Sequence, residues 1–352
     1  MNHLKKNNYH NQVNINNELK LRELIGTLPR FCSDYFRGIE PTTSSRTRLG
    51  YAHDLNVFFD FLRNENPYFR EKDMRDLKVK ELDKLKPVDI EEYLDYIKYY
   101  TRNDKEYINE ESARKRKLIS LRSLYNYCYK REWIETNPAS KVDIPKLHQK
   151  EIVRLDIDEV AMLLDEVESG ESLTKSQKKY HNKTKVRDLA IMTLLLGTGI
   201  RVSECVGLDI SDVDFKNNGI KILRKGGNEV IIYFGDEVCE ALLNYLEERN
   251  HIIPLEGHTD ALFLSMQKRR ISVKSVENLV KKYSKTVTTV KKITPHKLRS
   301  TYGTNLYKET GDIYLVADVL GHQDVNTTKK HYAAIDDSSR RRAAKIVKLR
   351  EN

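Results

Sequence analysis

The sequence predicts a mainly α protein in two parts, with a small β-sheet in the second part. Three observations carry this expectation. Apolar residues recur at helical spacing through most of the chain. A polar, basic stretch at 140–153, containing Pro145, interrupts the pattern. Between Gly219 and Phe234 the period switches to two. A chain of 352 residues with a hydrophobic fraction of 39% is long enough for two cores.

Taken in order, residues 1–27 are expected to form a polar, flexible tail. Met1 to Lys20 is rich in Asn and has no apolar stretch of the kind a signal peptide needs. A helical region follows over 28–139. Leu49, Ala52, Leu55, Phe58, Phe59 and Leu62 share one helix face. Pro87 suits a first-turn position, with Ile90, Tyr93, Leu94 and Ile97 on one side of the next helix. A third helix is expected from about Ser112 to Trp133, with Leu118, Leu121, Leu124, Tyr125 and Cys128 on its apolar face. Its other face carries Arg114, Lys115, Lys117 and Arg122, either a solvated face or one lying on phosphates. Asn137-Pro138 ends the region, and 140–153 is expected to be a linker.

The second part spans 154–337. Asp156 can cap a helix carrying Ile157, Val160, Leu163 and Leu164. Glu168 to Lys185 is polar and expected to be a surface insertion. Arg187 to Leu196 is apolar enough for a buried helix. Ile220, Ile222, Val230 and Ile232 alternate around Gly226-Gly227, which predicts a β-hairpin with Lys225 beside its turn. Helical segments are expected to resume from Val273.

Composition narrows the function classes. Net charge is +10, from 62 Lys+Arg against 52 Asp+Glu, which favours an anionic polymer as partner. Cys32, Cys128, Cys205 and Cys239 are far apart and form no CxxC pair, so neither a zinc site nor a disulfide framework is expected. Reduced thiols fit a cytoplasmic protein. No run of 18 apolar residues would span a membrane. Gly197-Thr198-Gly199 lacks the ending of a phosphate-binding P-loop.

The chemistry is concentrated in Thr198 to Glu204, Lys225, His296 to Arg299, Leu320 to His322, and Tyr332. Breaking a phosphodiester without metal or water needs guanidinium groups to neutralise and orient the phosphate. It needs a side-chain nucleophile and a general acid for the leaving oxygen. Arg201 follows Gly199, where a helix is expected to end, and Glu204 is placed to hold its guanidinium. Thr294-Pro295 marks a helix start, which sets His296 and Arg299 three residues apart on one face. Leu320-Gly321-His322 is expected to end a helix, with Gly321 at the C-cap. Tyr332 lies ten residues beyond His322, after Asn326, a candidate cap for another short helix.

In this order and with these neighbours, the motifs closely resemble the tyrosine recombinase (phage integrase) family over about Leu28 to Asp337. Thr294-Pro295-His296-Lys297-Leu298-Arg299, the Arg224-Lys225-Gly226-Gly227 turn and the polar segment before Val186 most resemble the single-protein Xer type, the XerS branch. The His322-to-Tyr332 interval is ten where nine is frequent in the family, and His331 occupies the ninth place. Ser300 follows Arg299 where His is common, and the lysine turn is Arg-Lys-Gly-Gly rather than Gly-Lys-Gly.

The resemblance implies a SAM-like helical core-binding domain over 28–139 and a mixed α/β catalytic domain over 154–337. It implies that Arg201 and Arg299 clamp the scissile phosphate and that His322 hydrogen-bonds it. His296 would act as acid/base, Lys225 would protonate the 5′-oxygen, and Tyr332 would attack to give a 3′-phosphotyrosyl link. No cofactor or metal is implied. The implied partner is double-stranded DNA, with a homotetramer holding two sites and exchanging strands through a Holliday junction. The basic segment 338–352 would form a helix docking in trans on a neighbour. Resolution of chromosome dimers at a dif-like site is the expected role. A mobile-element integrase is the alternative in the same class, and a catalytically silent DNA-binding protein is the alternative in another.

Overall fold

The structure is a computed structural model that describes residues 9–70, 72–146, 153–224 and 227–322, together with Val325 and Thr328. The chain divides into two compact units, Met1–Gln149 and Lys150–Asn352.

The first unit is built from α1 (Tyr9–Ile25), α2 (Phe31–Gly38), α3 (Ser45–Glu65), α4 (Pro87–Tyr96), α5 (Glu111–Lys130) and the short α6 (Pro138–Lys141). A two-stranded antiparallel ribbon, β1 (Tyr99–Arg102) and β2 (Lys105–Ile108), lies between α4 and α5. Asn103 and Asp104 turn it with positive φ, a conformation short polar side chains tolerate. The core is drawn from the apolar faces read in the sequence: Leu55, Phe58, Leu62, Tyr93, Leu118, Leu121, Tyr125 and Cys128 are all buried. Burial pushes the Cys128 thiol up to about 12, as expected of an inert core cysteine.

The expected flexible tail is corrected. From Tyr9 onward it is helix α1, packed on α3. Leu21 is buried, Ser45 Oγ donates to Asn14 Oδ1 at 2.8 Å, and Asn17 Nδ2 donates to Ser45 Oγ at 3.1 Å. Arg48 is buried, ion-paired with Glu18, and donates to the Thr43 carbonyl at 2.9 Å. Arg75 Nη1 donates to the carbonyls of Ile25 and Leu28, both at 2.8 Å, satisfying the C-terminal end of α1. The helix docks through these polar contacts and, at its C-terminal end, through Leu21, Leu24 and Ile25 packed on the core. Residues 1–8 lie outside the described residues.

The basic face of α5 is narrower than the sequence implied. Lys117 is buried against Asp54, with Nζ to Oδ1 at 3.2 Å. Asp54 also accepts from Arg116 Nη2 at 2.7 Å and from Ser120 Oγ at 2.8 Å. Burial holds the Lys117 ammonium below its ordinary pKa, and Asp54 pulls it back up. Arg122 Nε donates to the Ala139 carbonyl at 2.9 Å. Arg122 therefore fastens α6 to α5. The expected linker also begins later than 140, because Val142 is buried in the core of this unit.

The second unit contains α7 (Ile157–Ser169), α8 (Lys175–His181), α9 (Lys185–Thr198) and α10 (Val202–Gly207). A three-stranded antiparallel sheet follows, ordered β3 (Val213–Asp214), β4 (Gly219–Leu223), β5 (Glu229–Tyr233). Then come α11 (Asp236–Asn250), α12 (Val273–Val287), α13 (Pro295–Thr310) and α14 (Ile313–Leu320). In β4, Ile220 and Ile222 are buried while Lys221 is exposed, as period-two reading requires. Helix α9 is central, packing against α7, α11, α12 and α13. Its Ala190, Ile191, Leu194 and Leu195 are buried.

Two expectations change here. Helices resume at α11, before Val273. The polar insertion carries α8, whose His181 is buried rather than solvated. His181 Nδ1 lies 3.2 Å from Tyr283 Oη, and Nε2 lies 3.3 Å from the Glu168 carbonyl. Tyr283 Oη donates at 3.0 Å to Asp188, a buried carboxylate that also accepts from Arg187, Lys282 and Thr184. Burial, with Asp188 adding to it, pushes the Tyr283 phenol up, so it stays a donor. These contacts fasten α8 and α12 to the start of α9.

Asp54→Ala should lower stability by about 3 kcal/mol, because it leaves the Lys117 charge buried without its carboxylate. Lys117→Met keeps the volume and leaves Asp54 its bonds from Arg116 and Ser120, so it should cost less, about 1 kcal/mol. Chemical denaturation of the two variants checks this; equal losses would show that packing, not the ion pair, sets the value of the site.

Candidate active site

Helix α9 ends at Gly199, which adopts a left-handed conformation (φ +62°). A side chain there would meet Tyr302 Cδ1 at 2.4 Å and Leu320 Cδ2 at 2.9 Å, so glycine is required by conformation and by space. The chain restarts at once as α10, with Arg201 at its N-cap. Glu204 holds Arg201 twice: Arg201 N–H donates to Oε2 at 2.7 Å and Nη1 donates to Oε1 at 2.8 Å. Glu204 is buried, whereas the Arg201 side chain is 39% exposed. The guanidinium is thus fixed at one edge and open at another.

Helix α13 begins at Pro295, with Thr294 at the N-cap position, though the Thr294 side chain makes no capping hydrogen bond. His296 is exposed on the first turn and Arg299 is buried one turn later. Arg299 Nη1 donates to the Gly199 carbonyl at 2.6 Å, and Nη2 donates to the Leu320 carbonyl. Arg299 therefore joins the C-terminal ends of α9 and α14, both of which present unpaired carbonyls and partial negative charge.

Helix α14 ends at Gly321, again left-handed (φ +62°). His322 follows, and its N–H donates to the Ala317 carbonyl at 2.9 Å. Its Nδ1 lies 2.7 Å from Thr328 Oγ1. Arg201 Nη2 donates to the Gly321 carbonyl at 3.2 Å. Arg201, Arg299 and His322 are thus gathered at one end of α14. His296 shares helix α13 with Arg299, one turn before it. Lys225 and Tyr332 lie outside the described residues, as do Asn326 and 338–352.

Sequence reading singled out neither Thr328 nor Arg224 for a role. Thr328 is fully buried and orients the His322 ring; its only sequence signal is its place six residues after His322. Arg224 Nη1 donates to the Asp318 carbonyl at 3.0 Å and Nη2 to the Val319 carbonyl at 2.5 Å. Burial lowers its pKa, Glu204 opposes that shift, and Arg201 reinforces it. Three cations at one helix end, one held by a carboxylate and two by backbone carbonyls, with a histidine beside them, form an anion-seeking cluster able to orient a phosphate.

Comparisons with known proteins place the chain in a family. Residues 153–339 match the model of the phage integrase family. A tyrosine recombinase XerC of Caldanaerobacter subterraneus subsp. tengcongensis is 35% identical over 321 residues, covering 88% of this chain and 83% of the relative. A tyrosine recombinase XerD of Staphylococcus epidermidis is 28% identical over 294 residues, covering 84% of this chain and 90% of the relative. Among solved structures, XerH bound to a palindromic difH substrate has a TM-score of 0.65 at 18% identity, covering 86% of this chain and 80% of that chain. The Tn1549 transposon integrase in complex with circular intermediate DNA has a TM-score of 0.62 at 21% identity, covering 90% of this chain and 99% of that chain. At these identities the two structures speak to the fold, which is mainly α with a small sheet in the second unit. With the family model covering more than half of the chain and a relative above 30% identity over most of it, the chain belongs to the phage integrase family and is a tyrosine-type site-specific recombinase of the Xer type.

Proposed function

We propose that this recombinase resolves chromosome dimers in the cytoplasm by cutting and rejoining DNA at a dif-like site. In this reading four protomers hold two double-stranded sites and exchange one pair of strands at a time through a Holliday junction. The observation that carries the proposal is the gathering of Arg201 and Arg299 at the end of α14, next to His322. The names of the curated relatives, XerC and XerD, favour the Xer role over that of a mobile-element integrase.

The roles follow from the chemistry of each group. Arg201 and Arg299 neutralise the scissile phosphate, and His322 hydrogen-bonds a non-bridging oxygen. The Tyr332 oxygen attacks phosphorus while its proton passes to His296. The bond from phosphorus to the 5′-oxygen breaks, and Lys225 supplies the proton that oxygen requires. The 3′-phosphotyrosyl link keeps the phosphodiester energy, so rejoining needs no ATP. Residues 338–352 would form the basic helix that docks on the neighbouring protomer and couples its tyrosine to this one.

Incubation with a nicked cognate site should give a covalent protein–DNA adduct on a denaturing gel, and Tyr332→Phe should abolish it. A wild-type protein that binds the site but forms no adduct would be a silent DNA-binding protein, and the recombination reading would be wrong. Glu204→Ala should slow cleavage by about 10²-fold with the nucleophile intact, because Arg201 loses both bonds to Glu204 and keeps only the Gly321 carbonyl, and a displacement of about 1 Å is enough for that loss. Single-turnover cleavage at saturating protein measures it; an unchanged rate would mean that Arg201 needs no such support. Lys225→Ala should slow cleavage by about 10²–10⁴-fold on ordinary DNA. A 5′-bridging phosphorothiolate site, whose sulfur leaves without protonation, should restore the rate if Lys225 is the general acid.

A further inference from the structure

We propose that Arg224 is a positioning residue that pins the hairpin turn bearing Lys225 to the C-terminal end of α14, and so to His322. The inference rests on the reading of Lys225 as general acid and adds the residue that places it.

The hairpin is tight. Leu223 pairs with Glu229 at the last rung of β4 and β5. Arg224 N–H donates to the Asn228 carbonyl at 2.9 Å, and Gly227 N–H donates to the Arg224 carbonyl at 3.1 Å. A two-stranded tip of this kind has no partner of its own against which to set the direction of its turn. The Arg224 side chain supplies one by reaching across to α14, to the carbonyls of Asp318 and Val319. The fork geometry of a guanidinium lets one side chain take two successive carbonyls, which an ammonium cannot match. Lys225 is the next residue in the sequence, so a hold on Arg224 acts one residue from the lysine.

Gly321 fits the same design. A side chain there would meet Arg224 Nη1 at 2.3 Å and Cζ at 2.4 Å. The glycine between Leu320 and His322 thus serves two ends, turning the chain and leaving room for the arginine to lie over it. The Arg224 Nε is buried without a hydrogen-bond partner among the described residues. A buried donor left unmade is tolerated here alongside two well-placed carbonyl bonds.

Single-turnover cleavage is measured for the wild type, Lys225→Ala, Arg224→Ala and Arg224→Lys on ordinary and 5′-phosphorothiolate sites. Arg224→Ala should slow ordinary cleavage by about 10–100-fold, and the thiolate should restore most of that loss. Arg224→Lys should fall between. If Lys225→Ala is rescued by the thiolate while Arg224→Ala is equally slow on both sites, Arg224 does not act through the lysine and the proposal is overturned. If Lys225→Ala is not rescued, the general-acid reading fails instead. The anchor is then judged by amide hydrogen exchange, which should quicken at Gly227 and His322 in Arg224→Ala. Unchanged exchange at both amides would overturn the anchor.

Discussion

The C-terminal end of α14 is the constraint on which the candidate site depends. A helix leaves its last carbonyls without intrahelical partners. Here those of Asp318, Val319, Leu320 and Gly321 accept from three arginines: Arg224 takes the first two, Arg299 the third and Arg201 the fourth. The arginines come from a hairpin tip, a helix interior and a helix N-cap. One short helix end therefore holds an arginine that lies 120 positions before it in the sequence. Arg299 also bonds the carbonyl of Gly199, so the end of α9 is tied to the same point.

This arrangement explains why so much of the site could be read from the sequence. Gly199 and Gly321 are the two left-handed residues that end α9 and α14, and each stands within two residues of a functional position. Glu204 sits three residues after Arg201, the spacing that lets an N3 carboxylate reach back to the N-cap. Pro295 fixes the first turn of α13, and with it the angular offset between His296 and Arg299. Local rules decide each of these places, and local rules are visible in a sequence.

The features that escaped depend on contacts distant in sequence. Helix α1 packs Leu21, Leu24 and Ile25 on the core only at its C-terminal end, and the partners on α3 of Asn14, Asn17 and Glu18 cannot be inferred from its own pattern. Lys117 and Arg122 look like surface charges until Asp54 and the carbonyls of Ala139 and Val142 are placed beside them. His181 lies in a lysine-rich stretch, and only the fold brings Tyr283 to it. Helix α11 does carry a helical stripe, Val238, Ala241, Leu242 and Tyr245, but it is narrow and set among acidic residues. Thr328 and Arg224 act on His322 and on the α14 carbonyls, contacts that no motif encodes.

The electrostatics of the cluster bear on its chemistry as well as on its shape. Arg201 and Arg224 are close enough to oppose each other's charge, and burial opposes that of Arg224 further. Glu204 and the partial negative charge of the helix end offset this only in part. A guanidinium does not relieve the strain by losing its proton, as a lysine can, because its pKa is too high. Arginine therefore keeps the site positive, and relief is left to an incoming anion. A phosphate placed here would meet donors already oriented by backbone carbonyls and by Glu204, so little reorganisation would accompany its binding or the redistribution of its charge during attack. The carbonyls that assemble the site thus also set three guanidinium groups side by side, an arrangement suited to the charge of a phosphodiester.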